Sequence, residues 1–109
     1  KQKSFNRIFE YIFIMPRPVR HRRVRYRFGC DYFAPQPMQS ELDEIILKVE
    51  ELESMRLKDC LDMDQTEAAE RMGVSQPTFC RILAEARKKV SKALVEGKPI
   101  RVQGGYYKR

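Results

Sequence analysis

Apolar residues recur at helical spacing over residues 76–95, which predicts a long amphipathic helix in the last third of the chain. Ser75 is placed to cap its first turn, and Pro77 stands where a missing N–H costs no hydrogen bond. Gly97 and Pro99 predict its end. The predicted core face consists of Phe79, Ile82, Leu83, Ala86, Val90, Ala93 and Leu94.

A shorter helix is predicted just upstream, from Gln65 to Met72. Asp64 is placed to cap it, and Glu67 stands three residues later as the reciprocal partner of a capping box. Gly73 ends the helix, because glycine adopts the left-handed conformation without the steric cost that other residues carry.

A first helix is predicted over residues 50–61, preceded by a brief strand or extended segment within residues 38–49. The acidic residues of its first turn are favoured by the positive end of the helix dipole, and we interpret the acids of residues 41–70 as helix caps and solvated surface. The predicted buried face is Leu52, Met55, Cys60 and Leu61, with Leu57 near its edge; the first-turn acids are Glu50, Glu51 and Glu53.

Two further strands are predicted near the ends of the chain. Val24, Tyr26 and Phe28 alternate with arginines, which is typical of a strand with one apolar and one basic face. Ile100–Val102 form a second candidate in the tail, and whether the two pair with each other stays open. The expected fold is mainly α, with a winged-helix-like core of three helices.

The junction of the second and third helices has the spacing of a helix-turn-helix. Counted from Gln65, a small residue, Ala69, stands fifth, where the two helices cross, and Gly73 stands ninth at the turn. Val74 fills the corner and Phe79 enters the core. Packing in an ordinary helical corner would also explain these apolar positions. Evidence for function must therefore come from the opposite, exposed face of the third helix.

The charge distribution favours a polyanionic partner. The formal net charge is +7 and the pI about 9.5. Lysine and arginine outnumber acids nine to two in residues 1–40 and ten to two in residues 71–109, whereas acids outnumber them eleven to three between these segments. This segregation predicts nucleic acid as the partner.

The third helix supplies candidate DNA contacts on the face opposite its core residues. Its N-terminal half carries groups suited to base edges in the major groove, and its basic continuation and the arginine-rich arm suit phosphates. The base-reading candidates are Ser75, Gln76, Pro77, Thr78, Arg81 and Ala84. The phosphate-contact candidates are Arg17, Arg20, Arg22, Arg23, Arg87, Lys88, Lys89 and Lys92.

The cysteines and the remaining polar residues suggest no catalytic or metal chemistry. Cys30, Cys60 and Cys80 are odd in number and include no CxxC pair, which disfavours disulfides and zinc and indicates a reducing cytoplasm. We expect Cys60 and Cys80 to be buried or half-buried. We predict neither an enzyme nor a cofactor, and no stretch of the sequence approaches the length of a membrane span.

Residues 68–83, AAERMGVSQPTFCRIL, carry the most specific part of a family likeness. From Met15 onward the chain resembles the uncharacterised prokaryotic family of predicted DNA-binding proteins known as domain of unknown function 134. The PRPVRHRRV segment, the Asp31-Tyr32-Phe33 stretch and the Gly-Gly near the end share this resemblance. Residues 49–94 are also similar to region four of bacterial sigma factors. The resemblance implies a DNA-binding fold and a regulatory role, without an operator, an effector or a catalytic residue.

These observations predict four segments and one leading function. We expect an upstream extension at 1–14, a basic arm with a short strand at 15–40, a helix-turn-helix domain at 41–97 and a tail at 98–109. The predicted function is sequence-specific binding of double-stranded DNA by a transcriptional regulator, acting as a homodimer. The alternatives are a protein-interaction module of the transcription machinery and RNA binding through the arginine-rich arm.

Overall fold

The computed structural model describes residues 21–38 and 43–109. Three α-helices form its larger part: α1 (Val49–Met55), α2 (Gln65–Met72) and α3 (Gln76–Glu96). A π-helical turn, Arg56–Cys60, continues α1. Five short strands accompany them: β1 (Arg22–Arg23), β2 (Tyr32–Phe33), β3 (Ile45–Leu47), β4 (Ile100–Val102) and β5 (Tyr107–Lys108). The mainly α fold with small β elements is as predicted, and residues 1–14 lie outside the described residues.

The helix boundaries follow the predicted capping residues. The Asp64 carboxylate accepts the N–H of Glu67 at 3.0 Å, and Ser75 Oγ accepts the N–H of Thr78 at 3.3 Å. Gly73 and Gly97 end their helices at φ +68° and +67°. Local chemistry thus sets the ends of α2 and α3. The reciprocal bond of the predicted capping box is not made, because the Glu67 carboxylate lies 3.7 Å from Arg71 instead.

Two apolar clusters share α3. The first joins the π-helical turn, α2 and the N-terminal half of α3, and the second joins the strands and α1 to the middle of α3. The first comprises Leu57, Ala68, Ala69, Met72, Phe79 and Leu83, with Val74 packed against it; the second comprises Val24, Leu47, Val49, Ala86 and Val102. Ala69, Val74 and Phe79 occupy the corner as predicted. Burial of each large side chain contributes about 1.5–3 kcal/mol, so α3 is fixed along most of its length.

The π-helical turn overturns the predicted core face at the end of the first helix. Leu61 donates its N–H to the carbonyl of Arg56, five residues back, at 2.9 Å. This wider turn rotates the following residues away from α-helical periodicity. Leu57 is therefore buried rather than marginal, whereas Cys60 and Leu61 are exposed. Cys80 is exposed as well, so the prediction of two buried or half-buried cysteines is wrong.

Leu94 is a second correction to the predicted core. Its side chain is 76% exposed, although the neighbouring Ala93 is buried. Leu94 lies at the margin of the predicted stripe, on the last turn of α3. There it borders an open groove lined partly by Phe33 and Ile100, and no element covers it among residues 21–38 and 43–109.

The strands form two small sheets. In one, β4 lies between β2, to which it is antiparallel, and β3, to which it is parallel. In the other, β1 pairs parallel to β5. The strands predicted at Ile100–Val102 and within residues 38–49 are confirmed. The pairing of Ile100–Val102 with the Val24–Phe28 segment, which the sequence left open, is not observed.

The strand predicted over Val24–Phe28 is wrong. Val24 is completely buried in the second cluster, and its N–H reaches the carbonyl of Lys108 at 3.0 Å. Beyond it the chain leaves the sheet, and the Tyr26 ring lies 4.6 Å beneath the Arg56 guanidinium. Packing of Val24 and this cation–π contact outweigh the period-two pattern.

The first-turn glutamates of α1 are buried, so their interpretation as solvated surface is wrong. Glu50 accepts the N–H of Tyr106 at 3.1 Å, and Glu51 accepts Lys89 Nζ at 2.8 Å. Glu53 holds Arg56 through two bonds of 2.7 and 3.0 Å. Buried carboxylates are costly unless charged or polar donors satisfy them, and each of the three has such a donor.

A substitution at Gly105 tests the packing of the Glu50 carboxylate against the tail. A Cβ at Gly105 would lie 1.9 Å from Glu50 Oε1, and the residue has φ +110°. We expect Gly105→Ala to displace the carboxylate from Tyr106 and to lower the free energy of unfolding by about 2 kcal/mol or more in urea denaturation. Gly104→Ala is the matched control. It has φ +74° and open space around the added Cβ, so it should cost only about 1 kcal/mol. Equal losses would contradict the packing of Glu50 on Gly105.

Candidate nucleic-acid interface

A continuous exposed ridge runs along α3. Its members recur three or four residues apart and face away from the core residues Phe79, Leu83 and Ala86. The ridge comprises Pro77, Arg81, Ala84, Lys88 and Lys92, all exposed. Its chemistry changes along the helix, from small and polar groups at the N-terminal end to cations further on. This is the face on which the sequence places DNA contacts.

A polar network organises the N-terminal end of α3. Ser75 Oγ donates to Thr78 Oγ1 at 3.0 Å, and Arg81 Nη2 donates to the same oxygen at 3.1 Å. Gln76 Nε2 donates to Thr66 Oγ1 on α2. These bonds orient Arg81 and Gln76 while leaving both side chains exposed. Among the predicted base readers, Ser75 thus has a capping role, and half-buried Thr78 is the centre of the network.

The four cations of α3 that were predicted to contact phosphates fall into two groups, one without and one with a carboxylate partner. Lys88 and Lys92 are exposed, and no carboxylate of the described residues lies within ion-pair distance of either. Arg87 is engaged by Asp59, and the half-buried Lys89 by Glu51. Lys89 therefore serves the fold, which the sequence pattern alone does not reveal.

Part of the arm lies against the turn between α2 and α3. The side chain of Arg23 crosses Gly73, with Nη2 3.2 Å from where a Cβ of that glycine would lie. Half-buried Arg22 anchors β1, because its N–H donates to the carbonyl of Tyr106 at 3.0 Å. A basic side chain is thus held beside the start of α3. The predicted phosphate contacts Arg17 and Arg20 lie outside the described residues.

A cleft lined by arginines and glutamates was not predicted from the sequence. It measures about 410 Å³ and brings together side chains of the arm, the π-helical turn and α2. Its arginines are Arg23, Arg25, Arg56 and Arg71, interspersed with Glu53, Glu67 and Glu70. The hydrogen bonds to Glu53 raise the pKa of Arg56. Only the tertiary contacts bring these residues together, so sequence spacing carries no signal for the cleft.

Within residues 21–38 and 43–109, no group of three or more histidine, cysteine or acidic side chains is arranged to hold a metal ion. The helices of this part of the chain are also too short or too polar to cross a membrane.

Comparison with known proteins finds a matching family model and several similar proteins from bacteria. A family model described as "Protein of unknown function DUF134" matches residues 12–109, so the likeness begins slightly upstream of Met15. The chain is 56% identical over 94 residues to a UPF0251 protein of Moorella thermoacetica, a match that covers 85% of this chain and 63% of that protein. It is 54% identical over 93 residues to a UPF0251 protein of Caldicellulosiruptor bescii, covering 85% and 65% of the two chains.

A UPF0251 protein of Caldanaerobacter subterraneus subsp. tengcongensis is 53% identical over 95 residues, covering 86% of this chain and 80% of that protein. The chain thus spans just under two thirds of the length of the relatives from Moorella and Caldicellulosiruptor. No solved structure matches the sequence.

Lys88 and Lys89 are neighbours on α3, but only Lys89 is expected to stabilise the fold. We expect Lys89→Met to lower the free energy of unfolding by about 2 kcal/mol, because it leaves the buried Glu51 carboxylate without its cation. The same change at exposed Lys88 should stay within about 0.5 kcal/mol. Urea denaturation of both variants measures the difference. Equal effects at the two positions would show that the Glu51–Lys89 pair does not hold α1 to α3.

Proposed function

We propose that this chain, which belongs to the DUF134 family of proteins of unknown function, binds double-stranded DNA through the exposed ridge of α3. The observation that carries the proposal is the ridge itself, from Pro77 to Lys92. Packing uses the opposite face of the helix, so the ridge is accessible to a partner along its whole length. In a helix-turn-helix, the second helix enters the major groove with its N-terminal residues at the base edges.

Base reading is assigned to the N-terminal half of the ridge. The guanidinium of Arg81, oriented by Thr78, has the donor pair that guanine accepts through O6 and N7. Gln76 matches adenine, once its amide leaves Thr66. Ala84 is small and exposed, so it permits close approach of the helix to the bases.

Phosphate contacts are assigned to cations on either side of these base readers. Lys88 and Lys92 extend the ridge towards the C-terminal end of α3. Arg23 lies beside the turn that precedes α3. Cations at both ends of the reading surface fix the orientation of a helix on the duplex, because phosphates line both edges of the groove.

The proposed biological role is transcriptional regulation in the cytoplasm, without a catalytic step or a cofactor. Regulation requires sequence preference, and one recognition helix contacts few base pairs. We therefore propose a homodimer, in which two copies of α3 read half-sites one helical turn, about 34–36 Å, apart. The arm, including Arg17 and Arg20, adds contacts to phosphates or to the minor groove.

Substitutions on the ridge should separate base reading from phosphate binding. In fluorescence-anisotropy titrations, we expect Arg81→Ala to weaken binding to preferred duplexes by about 1–3 kcal/mol and to relax base preference. We expect Lys88→Ala to weaken binding to all duplexes alike and to reduce the salt slope by about one.

Two controls address the alternative functions. Duplex RNA should compete poorly with duplex DNA of the same length, because the deep, narrow groove of RNA does not admit α3. Equal loss on every sequence from Arg81→Ala would refute its base-reading role. Absence of DNA affinity, together with a protein partner retained after nuclease treatment, would favour the interaction module instead.

A further inference from the structure

Arg87 and Asp59 form a two-point ion pair at the edge of the candidate interface. The guanidinium Nε lies 3.1 Å from Oδ2 and Nη2 lies 2.5 Å from Oδ1. The pair joins the π-helical turn to α3, and the two residues are far apart in the sequence. Both side chains reach solvent, since 51% of Arg87 and 36% of Asp59 remains exposed.

Arg87 lies on the flank of the ridge, one position before Lys88 and six after Arg81. Six residues correspond to about 9 Å along a helix and about 120° around it, so Arg87 projects from the side of α3 when Arg81 points into the groove. A cation in this place borders the groove wall when Arg81 faces the bases. However, the two N–H groups that would meet a phosphate are already bound to a carboxylate.

The carboxylate of Asp59 presents two oxygens to Arg87 as a phosphate would. Planar guanidinium groups bind carboxylates and phosphates with the same two-point geometry. The two anions therefore exclude each other at this side chain. Arg87 holds the pKa of Asp59 below its ordinary value, so the competing charge is present under ordinary conditions.

We infer that Asp59 competes with the DNA backbone for Arg87 and so withholds one cation from sequence-independent binding. This inference rests on the proposed function. Exposed ion pairs are weak, which allows a correctly placed phosphate to displace Asp59. A duplex that does not place a phosphate at Arg87 leaves the Asp59–Arg87 pair intact. Asp59 thus lowers the affinity for DNA of arbitrary sequence and increases the share of the binding free energy that base contacts supply.

The contrast with Glu51 and Lys89 supports this division of roles. Lys89 follows Arg87 by two residues on α3, and the carboxylate of Glu51 is almost fully buried, with 6% of the side chain exposed. No phosphate can reach it without unfolding of the contact between α1 and α3. The Asp59–Arg87 pair is open to solvent, so exchange of its anion leaves the core intact.

The test compares Asp59→Asn with Glu67→Gln in the full chain. Each variant removes one exposed acid that pairs with an arginine, Arg87 or Arg71. Binding to a random-sequence duplex is titrated at several salt concentrations. For Asp59→Asn we expect about three- to tenfold tighter binding at low salt and a log–log salt slope steeper by about 0.9. For Glu67→Gln we expect a smaller gain and an unchanged slope.

A double-mutant comparison separates release of Arg87 from a change in net charge. Arg87→Ala alone should weaken binding slightly, because it leaves the Asp59 carboxylate unpaired. In its background Asp59→Asn should give no more than the small gain expected of Glu67→Gln, with an unchanged salt slope. A three- to tenfold gain that persists without Arg87, or a gain in the otherwise wild-type chain equal to that of Glu67→Gln, would overturn the inference. If the wild-type chain has no affinity for DNA, the proposed function itself fails. Urea denaturation of each variant verifies that the fold is retained.

Discussion

Three buried carboxylates in α1 hold the parts of this structure together. Glu50 accepts the backbone of the tail at Tyr106, Glu51 takes Lys89 from α3, and Glu53 binds Arg56 of the π-helical turn. Each charge leaves water only because a donor from another segment, or from the next turn, replaces the lost hydration. Because two of the donors come from remote segments, the carboxylates fix where the tail and α3 lie around α1.

The placement of the arm follows from this constraint. The tail that Glu50 holds continues into β5, which pairs with β1, and β1 carries Arg23 over Gly73. One chain of contacts thus connects a buried charge in α1 to a basic side chain beside α3. On the other side, Glu51 and the two apolar clusters prevent α3 from rotating, so its ridge keeps a constant orientation. The candidate interface is therefore a consequence of buried polar contacts as much as of its own surface residues.

The sequence predicted the parts of the fold that local chemistry controls. Caps at Asp64 and Ser75, the left-handed glycine at Gly73 and the apolar periodicity of α3 act within a few residues. The structure confirms the caps and the glycine, and it confirms the periodicity up to Ala93. The sequence also identified the ridge of α3, because an amphipathic helix of regular geometry has a determined outer face. These features define the candidate site, and its binding of DNA remains a proposal.

Contacts between distant segments account for what the sequence did not predict. First-turn glutamates satisfy the helix dipole whether or not they are buried, so their pattern carries no signal for Tyr106 or Lys89. The π-helical turn changes periodicity where the sequence looks regular, which exchanges Leu57 for Leu61 in the core. Arg87 and Lys89 resemble Lys88 in sequence, and only tertiary packing shows that carboxylates hold them.

Selection of bound molecules from a pool of random duplex DNA is the sharpest test of base reading by α3. We expect enrichment of a palindromic motif whose half-sites lie about one helical turn apart, as a two-fold pair of α3 helices requires. Recovery of sequences without any enriched motif, at a salt concentration where the protein remains folded, would contradict the assignment of α3 as a base-reading helix.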